Sequence, residues 1–488
     1  MVAEAAAAMG SGGRGPASNE SSRSRGGARL MLRAAREAGL GRLAERFGNC
    51  FASGLAIREQ HANLTSWHPV QPPDAVVYPL STEEVSEIVR ICAQHGLPMI
   101  PFGVGSSLEA GCNAPLGGVS IDLGRMDRIL AVHEEDMDCV VQAGVRRNQL
   151  NGHLRDLGLF FTVDPGADAS LGGMASTRAS GTNAVRYGTM KDNVLALTVV
   201  MPDGSVRRTG SRARKSAAGY DITRLFVGAE GTLGVITELT LRLHGIPQAI
   251  TSAVCSFPDL RAACDCVIMA VRYGIPLARV ELLDEVQVKA CNRHSALGLA
   301  ERPTLFLEFH GSDAGVREQA EAFGEIVAEH GGGHFDWAES TEARNRLWQA
   351  RHEVYWACLE LRPGSKFIAT DVCVPISRLA ACMVETKQDI EDTGLVAPIV
   401  GHVGDGNFHV SVMGMVDDAD EMARIKAFIG RLNERAIAMD GTCTGEHGIG
   451  QGKQDYLLRE HGENVATMRA VKAALDPNGL MNPDKIFA

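Results

Sequence analysis

The sequence predicts an α+β fold in more than one domain. Its 488 residues suffice for two or three domains. Period-two strand patterns and amphipathic helical patterns intermingle along the chain. The character also changes after Pro247: three glycine clusters precede it, and longer strand and helix patterns follow. Composition excludes several classes. A net charge of −11 argues against nucleic acid, which would want a basic stripe. No apolar run reaches the roughly 18 residues of a membrane span, so no transmembrane segment is expected. The 12 cysteines have one close pair, Cys264-x-Cys266, which is neither a disulfide framework nor a zinc-knuckle spacing and suits a reducing compartment.

Residues 1–27 are rich in Ala, Gly, Ser and Arg with no apolar face, and are expected to be disordered. A helical pattern over residues 28–47 carries Arg29, Arg33, Arg36, Arg42 and Arg46. Arg-rich, acid-poor sequence marks a mitochondrial transit segment, while Glu37 and Glu45 suit an ordinary first helix after a tail; both readings stand. Ser81 and the early Glu83 and Glu84 open a helix whose apolar face is Val85, Ile88, Val89 and Cys92, and Gly96 ends it.

A short strand over residues 98–102 leads into Gly103, Val104, Gly105, Ser106 and Ser107. Small residues after a strand present consecutive backbone N–H groups that suit phosphate, although Leu108 breaks the G-x-G-x-x-G pattern. A helix is expected over residues 147–157. The small-residue tract from Asp164 to Thr189 has no hydrophobic core of its own; it is either loose or packed against something other than protein side chains. A strand over residues 194–201, a turn at Pro202-Asp203-Gly204 and a return from Val206 form a hairpin. The third cluster, Gly228 to Gly234, runs into a strand over residues 237–243. Strands at 249–257 and 304–309 and helices at 260–273 and 316–330 follow. Arg344, Trp348, Arg351, His352 and Tyr355 recur at helical spacing.

Asp405-Gly406 is favoured at the centre of a two-residue hairpin, pairing His402 with His409 at a separation where two imidazoles share one ion. Glu446, in Thr444-Gly445-Glu446-His447-Gly448, completes a two-histidine, one-carboxylate set for a divalent ion, zinc or manganese, with open positions for substrate. His447 then stands beside the ion as a base.

The glycine clusters resemble the FAD domain of the vanillyl-alcohol oxidase/p-cresol methylhydroxylase (PCMH-type) flavoprotein superfamily, over about residues 70–247. The resemblance implies a two-subdomain FAD-binding domain there. A cap domain for substrate would occupy residues 248–430, and residues 431–488 would return to complete the site. Residues 1–47 remain the disordered or targeting segment. It also implies that residues 103–107 hold the FAD pyrophosphate. Pro165, Gly166, Gly172, Gly173, Ser176, Ser180, Gly181 and Tyr187 would lie along the cofactor, with Glu230 and Gly231. Val235 and Ile236 would meet the adenine end, and Asn482 the flavin edge.

Leu347-Trp348-x-x-Arg351 is similar to the family helix whose arginine clamps a substrate carboxylate. Residues 370–375 and 475–483 resemble segments of its 2-hydroxyacid dehydrogenases, most similar to the mitochondrial-type D-lactate dehydrogenases. Relatives acting on dicarboxylates carry a lysine where this chain has Ala369, which points to a monocarboxylate. The implied reaction removes the hydroxyl proton with His447 and sends a hydride to FAD. Electrons then leave to cytochrome c, an electron-transfer flavoprotein or a quinone, because no haem or iron–sulfur spacing is present. Location would be mitochondrial in a eukaryote, otherwise cytoplasmic or peripheral to the inner membrane. The alternative within the family is a D-2-hydroxyglutarate or glycolate dehydrogenase; a metal-dependent hydrolase, the alternative of another class, would use the same His, His and Glu but leaves the glycine clusters unexplained.

Overall fold

Three large sheets and one two-stranded ribbon, Leu159–Phe160 with His244–Gly245, carry the described residues. This computed structural model describes residues 18–63, 66–338 and 340–487, with side chains from residue 31 onward. The first sheet orders strands Phe51–Ala52, Ala75–Val77, Val119–Asp122 and Met99–Phe102. Its last three strands are parallel, so the helix Thr82–His95 must cross over between two of them. Ser81 caps that helix by accepting the Glu84 N–H, and Gly96 ends it at φ 62, as the sequence implies. Val85, Ile88, Val89 and Cys92 are buried.

The second sheet is antiparallel, in the order Ile129–His133, Asp138–Gln142, Val235–Arg242, Val194–Val200, Val206–Arg208. The expected hairpin is present, with Val200 facing Val206. The strand from Val235 starts two residues before the expected boundary, because Val235 and Ile236 pair with Val200 and Val199 ahead of a register shift. One apolar core spans both sheets and includes Met99, Val141, Leu171, Met174 and Leu239. The small-residue tract therefore contributes to a core after all. Its helix Leu171–Thr177 buries Leu171, Met174 and Ala175 on one face, leaving Gly172, Gly173 and Ser176 toward a cavity.

The N-terminal segment differs from expectation. A helix runs Ser18–Phe47, covering residues 18–27 that were expected to be disordered; extending a helix adds one bond per residue fixed, whereas nucleating it is costly. Leu43 and Phe47 join the apolar core, and Arg36 donates to Gly96 O at 3.0 Å. Residues 31–47 are thus docked on the fold. The reading of residues 1–17 as disordered or targeting sequence lies outside the described residues.

The third sheet is antiparallel: Asp336–Trp337, Ala249–Ser256, Thr304–Gly311, Leu277–Leu283, Ile399–Gly401, Asn407–Gly414, Lys366–Ala369. Leu305, Leu307 and Phe309 face one core with helices Leu260–Arg272, Asp313–Glu329, Leu379–Thr393 and Ala419–Ala438. Phe306 faces the opposite side with Leu347, Trp348 and Cys358, as period-two alternation requires. The helical run predicted from Arg344 to Tyr355 is interrupted. Thr341–His352 ends at Glu353, and Tyr355 belongs to a second helix, Val354–Leu361. The C-terminal segment returns to the first sheet: Met481 bridges Met99 in parallel, and the Asn482 N–H donates to Met99 O at 2.8 Å.

The 402–409 turn also corrects the sequence reading. Val400, not His402, stands opposite His409, and residues Val403–Asp405 form a 3₁₀ turn in which Gly406 alone takes positive φ, at 78°. Asp405 keeps an ordinary φ, so the two-residue turn with both central residues left-handed does not form.

Candidate active site

One cavity of about 680 Å³ collects most of the predicted residues. Its wall on the first two sheets is Gly103, Val104, Gly105, Ser106 and Ser107, with Pro165, Gly166, Gly172, Gly173, Ser176, Glu230, Gly231, Ile236 and Asn482. Its wall on the third sheet holds Arg351, His402, His409, Glu446 and His447. Ser180, Gly181, Tyr187 and Val235 stand outside it. Val235 is a buried strand residue opposite Val200. Gly181 packs on the Asp164 backbone, closer than any Cβ would allow. Tyr187 donates to or accepts from His310 Nδ1 at 2.8 Å and packs edge-on against His244 and Phe160.

The glycine wall suits a large cofactor pressed against backbone. A Cβ on Gly103 would lie 2.1 Å from Ser170 Oγ, so the loop already sits against the helix Leu171–Thr177. Ser170 Oγ and Asn482 Oδ1 are buried with no hydrogen-bond partner, although Asn482 Nδ2 donates to Glu230 O at 2.6 Å. Such orphaned acceptors and donors are costly unless a ligand completes them.

His402, His409 and Glu446 come together despite the shifted register. His402 Nε2 and His409 Nε2 each lie 3.3 Å from Glu446 Oε1, and Glu446 Oε2 is buried without a partner. The two imidazoles sit edge-on, with centroids 5.3 Å apart. Each ring is oriented from behind: His402 Nδ1 contacts Glu281 Oε1 at 2.6 Å, and His409 Nδ1 donates to Thr370 O at 3.1 Å. Both Nε2 atoms face the same Glu446 oxygen, and donation from Nδ1 would leave their lone pairs free for an ion once the Nε2 protons are lost. Burial opposes charge on His402, yet Glu281 and Glu446 outweigh it and push its imidazole well above the ordinary value. Burial likewise opposes the Glu446 carboxylate, while His402 and His409 hold it well below the ordinary range. The three side chains bring one ligand atom each within 4.8 Å of one another, close enough to hold one ion.

A second group, Asp371, His409 and His447, also brings ligand atoms together. Asp371 is already committed. Its Oδ2 accepts from Thr444 Oγ1 at 2.8 Å, Glu446 N at 2.8 Å and His447 N at 2.9 Å, and its Oδ1 from Asn407 Nδ2 at 2.8 Å. These bonds shape the 444–447 loop. His447 stacks on His409 at 5.0 Å and 10°, with Nδ1 free of partners. Burial lowers its pKa below the ordinary value, against the pull of Asp371.

Arg351 is not a free clamp. Its Nε donates to Glu281 Oε2 at 2.9 Å and its Nη2 lies 2.6 Å from the same oxygen. Glu281 was missed by sequence reasoning. The signal was there: an acid inside Val280-Glu281-Leu282-Leu283, whose other three residues are apolar and buried.

Comparison with known proteins places the chain in a family. Residues 246–486 match the model of the C-terminal domain of FAD linked oxidases, and residues 73–210 match an FAD binding domain. A probable mitochondrial D-lactate dehydrogenase of Danio rerio is 54% identical over 89% of this chain and 88% of its own. The mitochondrial D-lactate dehydrogenase (cytochrome) of Arabidopsis thaliana is 49% identical over 86% of this chain and 74% of its own. Substrate-bound p-cresol methylhydroxylase shares the fold at TM-score 0.78 and 16% identity, over 93% of this chain and 97% of that one. The fold is thus a PCMH-type FAD-binding domain with a cap. The chain belongs to the FAD-linked oxidase family that contains the mitochondrial D-lactate dehydrogenases.

Proposed function

We propose that this FAD-dependent D-2-hydroxyacid dehydrogenase oxidises a D-2-hydroxy monocarboxylate, D-lactate to pyruvate first, with one divalent ion. That ion, zinc or manganese, is held by His402, His409 and Glu446. One observation carries the reading: these three ligands, His447 and Arg351 line the same cavity as the 103–107 loop.

When bound, FAD supplies the hydride acceptor and the ion supplies positive charge beside the hydroxyl oxygen. Arg351 holds the substrate carboxylate with the Nη1 edge that Glu281 leaves open, which fixes how the Cα–H is presented. His447 accepts the hydroxyl proton, its Nδ1 carrying no competing hydrogen bond. Ala369, Phe367 and Val400 line the same space and leave room for a short apolar side chain. The D configuration follows the names of the relatives. So does the electron acceptor: cytochrome c is the first choice, with an electron-transfer flavoprotein or a quinone as the alternatives. Among the described residues no helix is long and apolar enough to cross a membrane. In a eukaryote the relatives support a mitochondrial location; elsewhere the enzyme would be cytoplasmic or peripheral to the inner membrane.

The test is anaerobic flavin bleaching with D-lactate, L-lactate, glycolate and D-2-hydroxyglutarate in parallel. D-lactate should be fastest; equal bleaching by L-lactate would overturn the handedness, and faster bleaching by the dicarboxylate would overturn the substrate. Chelation should abolish bleaching while flavin stays bound. His447→Ala should slow it by about two to four decades.

A further inference from the structure

We propose that Glu281 is a positioning residue that sets both halves of the reaction centre at once, orienting His402 toward the ion through Oε1 and restricting Arg351 through Oε2. The inference rests on the metal-dependent reading above.

Glu281 sits in the middle of the strand Leu277–Leu283 and is fully buried, with Val280, Leu282 and Leu283 beside it in the apolar cores. A carboxylate there is strongly unfavourable unless both oxygens are satisfied. Here both are. Oε1 contacts His402 Nδ1 at 2.6 Å, and Oε2 takes Arg351 Nε at 2.9 Å and Nη2 at 2.6 Å. The first contact fixes which ring nitrogen of His402 carries hydrogen, so Nε2 meets the Glu446 side of the cluster. The second contact consumes one edge of the guanidinium. The Nη1 N–H groups and the second Nη2 N–H face away from that contact, so a substrate carboxylate would meet Arg351 on this one remaining edge, in the orientation Glu281 fixes. The same carboxylate thereby links ion binding to anion binding, although neither ligand touches it.

The linkage is measured on flavin-loaded protein. Ion affinity is read by chelator competition with zinc and manganese, and anion affinity by the flavin absorbance change on adding pyruvate. Glu281→Gln keeps the size but lacks one acceptor, so ion affinity should fall about 10- to 100-fold, the usual effect of losing a histidine's outer partner. Pyruvate affinity should fall with it, and the mutual tightening of pyruvate and ion expected in the wild type should be lost. Should Glu281→Gln fold poorly, E281M/R351M replaces the buried pair with apolar residues, which folding tolerates. Its His402 still lacks an acceptor, so ion affinity must stay low in a stable protein. Wild-type ion affinity in either variant overturns the role of Glu281. A wild-type protein that binds neither ion overturns the metal reading itself, which is a separate failure.

Discussion

Asp371 holds Glu446 by its backbone: Asp371 Oδ2 accepts the Glu446 N–H at 2.8 Å, and the His447 N–H at 2.9 Å arrives at the same oxygen. Glu446 and His447, the proposed ligand and base, are therefore placed by one buried carboxylate 75 residues before Glu446 in the chain. Asp371→Asn exchanges a charged acceptor for an amide that must also donate. Stability should drop by about 3–5 kcal/mol, the cost of breaking a buried charged network. Ion affinity should fall at least about tenfold with it. Urea unfolding and chelator competition measure the two effects. Unchanged ion binding would mean that the glycines of the 445–450 loop hold its shape unaided.

The flavin test must avoid glycines that the fold itself needs. Gly105 has φ 71, and a Cβ there would meet Phe102 Cζ at 2.9 Å, so a bulky residue would disturb the loop with or without cofactor. Gly166 lines the cavity, and a Cβ there meets nothing within 4 Å. Gly166→Leu should fold with an unchanged melting temperature in the flavin-free state and retain little flavin. A protein that stays yellow with undiminished affinity would move the cofactor away from the 164–188 tract.

Acid stability should depend on Glu308. Burial opposes its charge, but Arg279, His310 and Ser252 outweigh that cost and lower its carboxyl from 4.5 to about 2. A depressed carboxyl contributes stability above the unfolded value, and the contribution is lost as pH falls from about 4.5 through about 2. The size is on the order of 3 kcal/mol. Glu308→Gln should thus be less stable than the wild type in urea at pH 7, and the gap should narrow steadily towards pH 2. A gap that is independent of pH would show that packing, not charge, accounts for the loss. The network matters to the site, because His310 reaches Tyr187 and Arg279 reaches Asp164 and Asn183 across the two domains.

Local signals read well and long-range ones did not. Ser81 and Gly96 bound their helix because capping is written within a few residues. That His402, His409 and Glu446 come together was legible because glycine-framed histidines have few other uses. Their pairing was not: the expected cross-strand register is off by two, and the rings meet because a 3₁₀ turn carries His402 back toward the sheet. Tyr187 shows the opposite failure. Its place in a small-residue tract suggested the cofactor, but its partner is His310, 123 residues away. Asp371 and Glu281 act through contacts that no sequence window contains.

Substrate size should be decided at Ala369. It lines the cavity together with Arg351, and among the described residues Arg351 is the only lysine or arginine in that lining. A second carboxylate would be buried without a partner there, at a cost of several kcal/mol. Ala369 ends the strand Lys366–Ala369 opposite Ser411, which also lines the cavity, so a longer side chain at 369 starts from its wall. Ala369→Lys should supply the missing cation. The expected result is a ratio of kcat/KM for D-2-hydroxyglutarate over D-lactate that rises at least about tenfold, equivalent to roughly 1.4 kcal/mol. Most of the change should come from faster anaerobic flavin reduction by the dicarboxylate, with flavin content and ion content unchanged. If the ratio stays where it was in a variant that retains both, the substrate side chain points away from Ala369, and a different wall of the cavity sets the preference for a monocarboxylate.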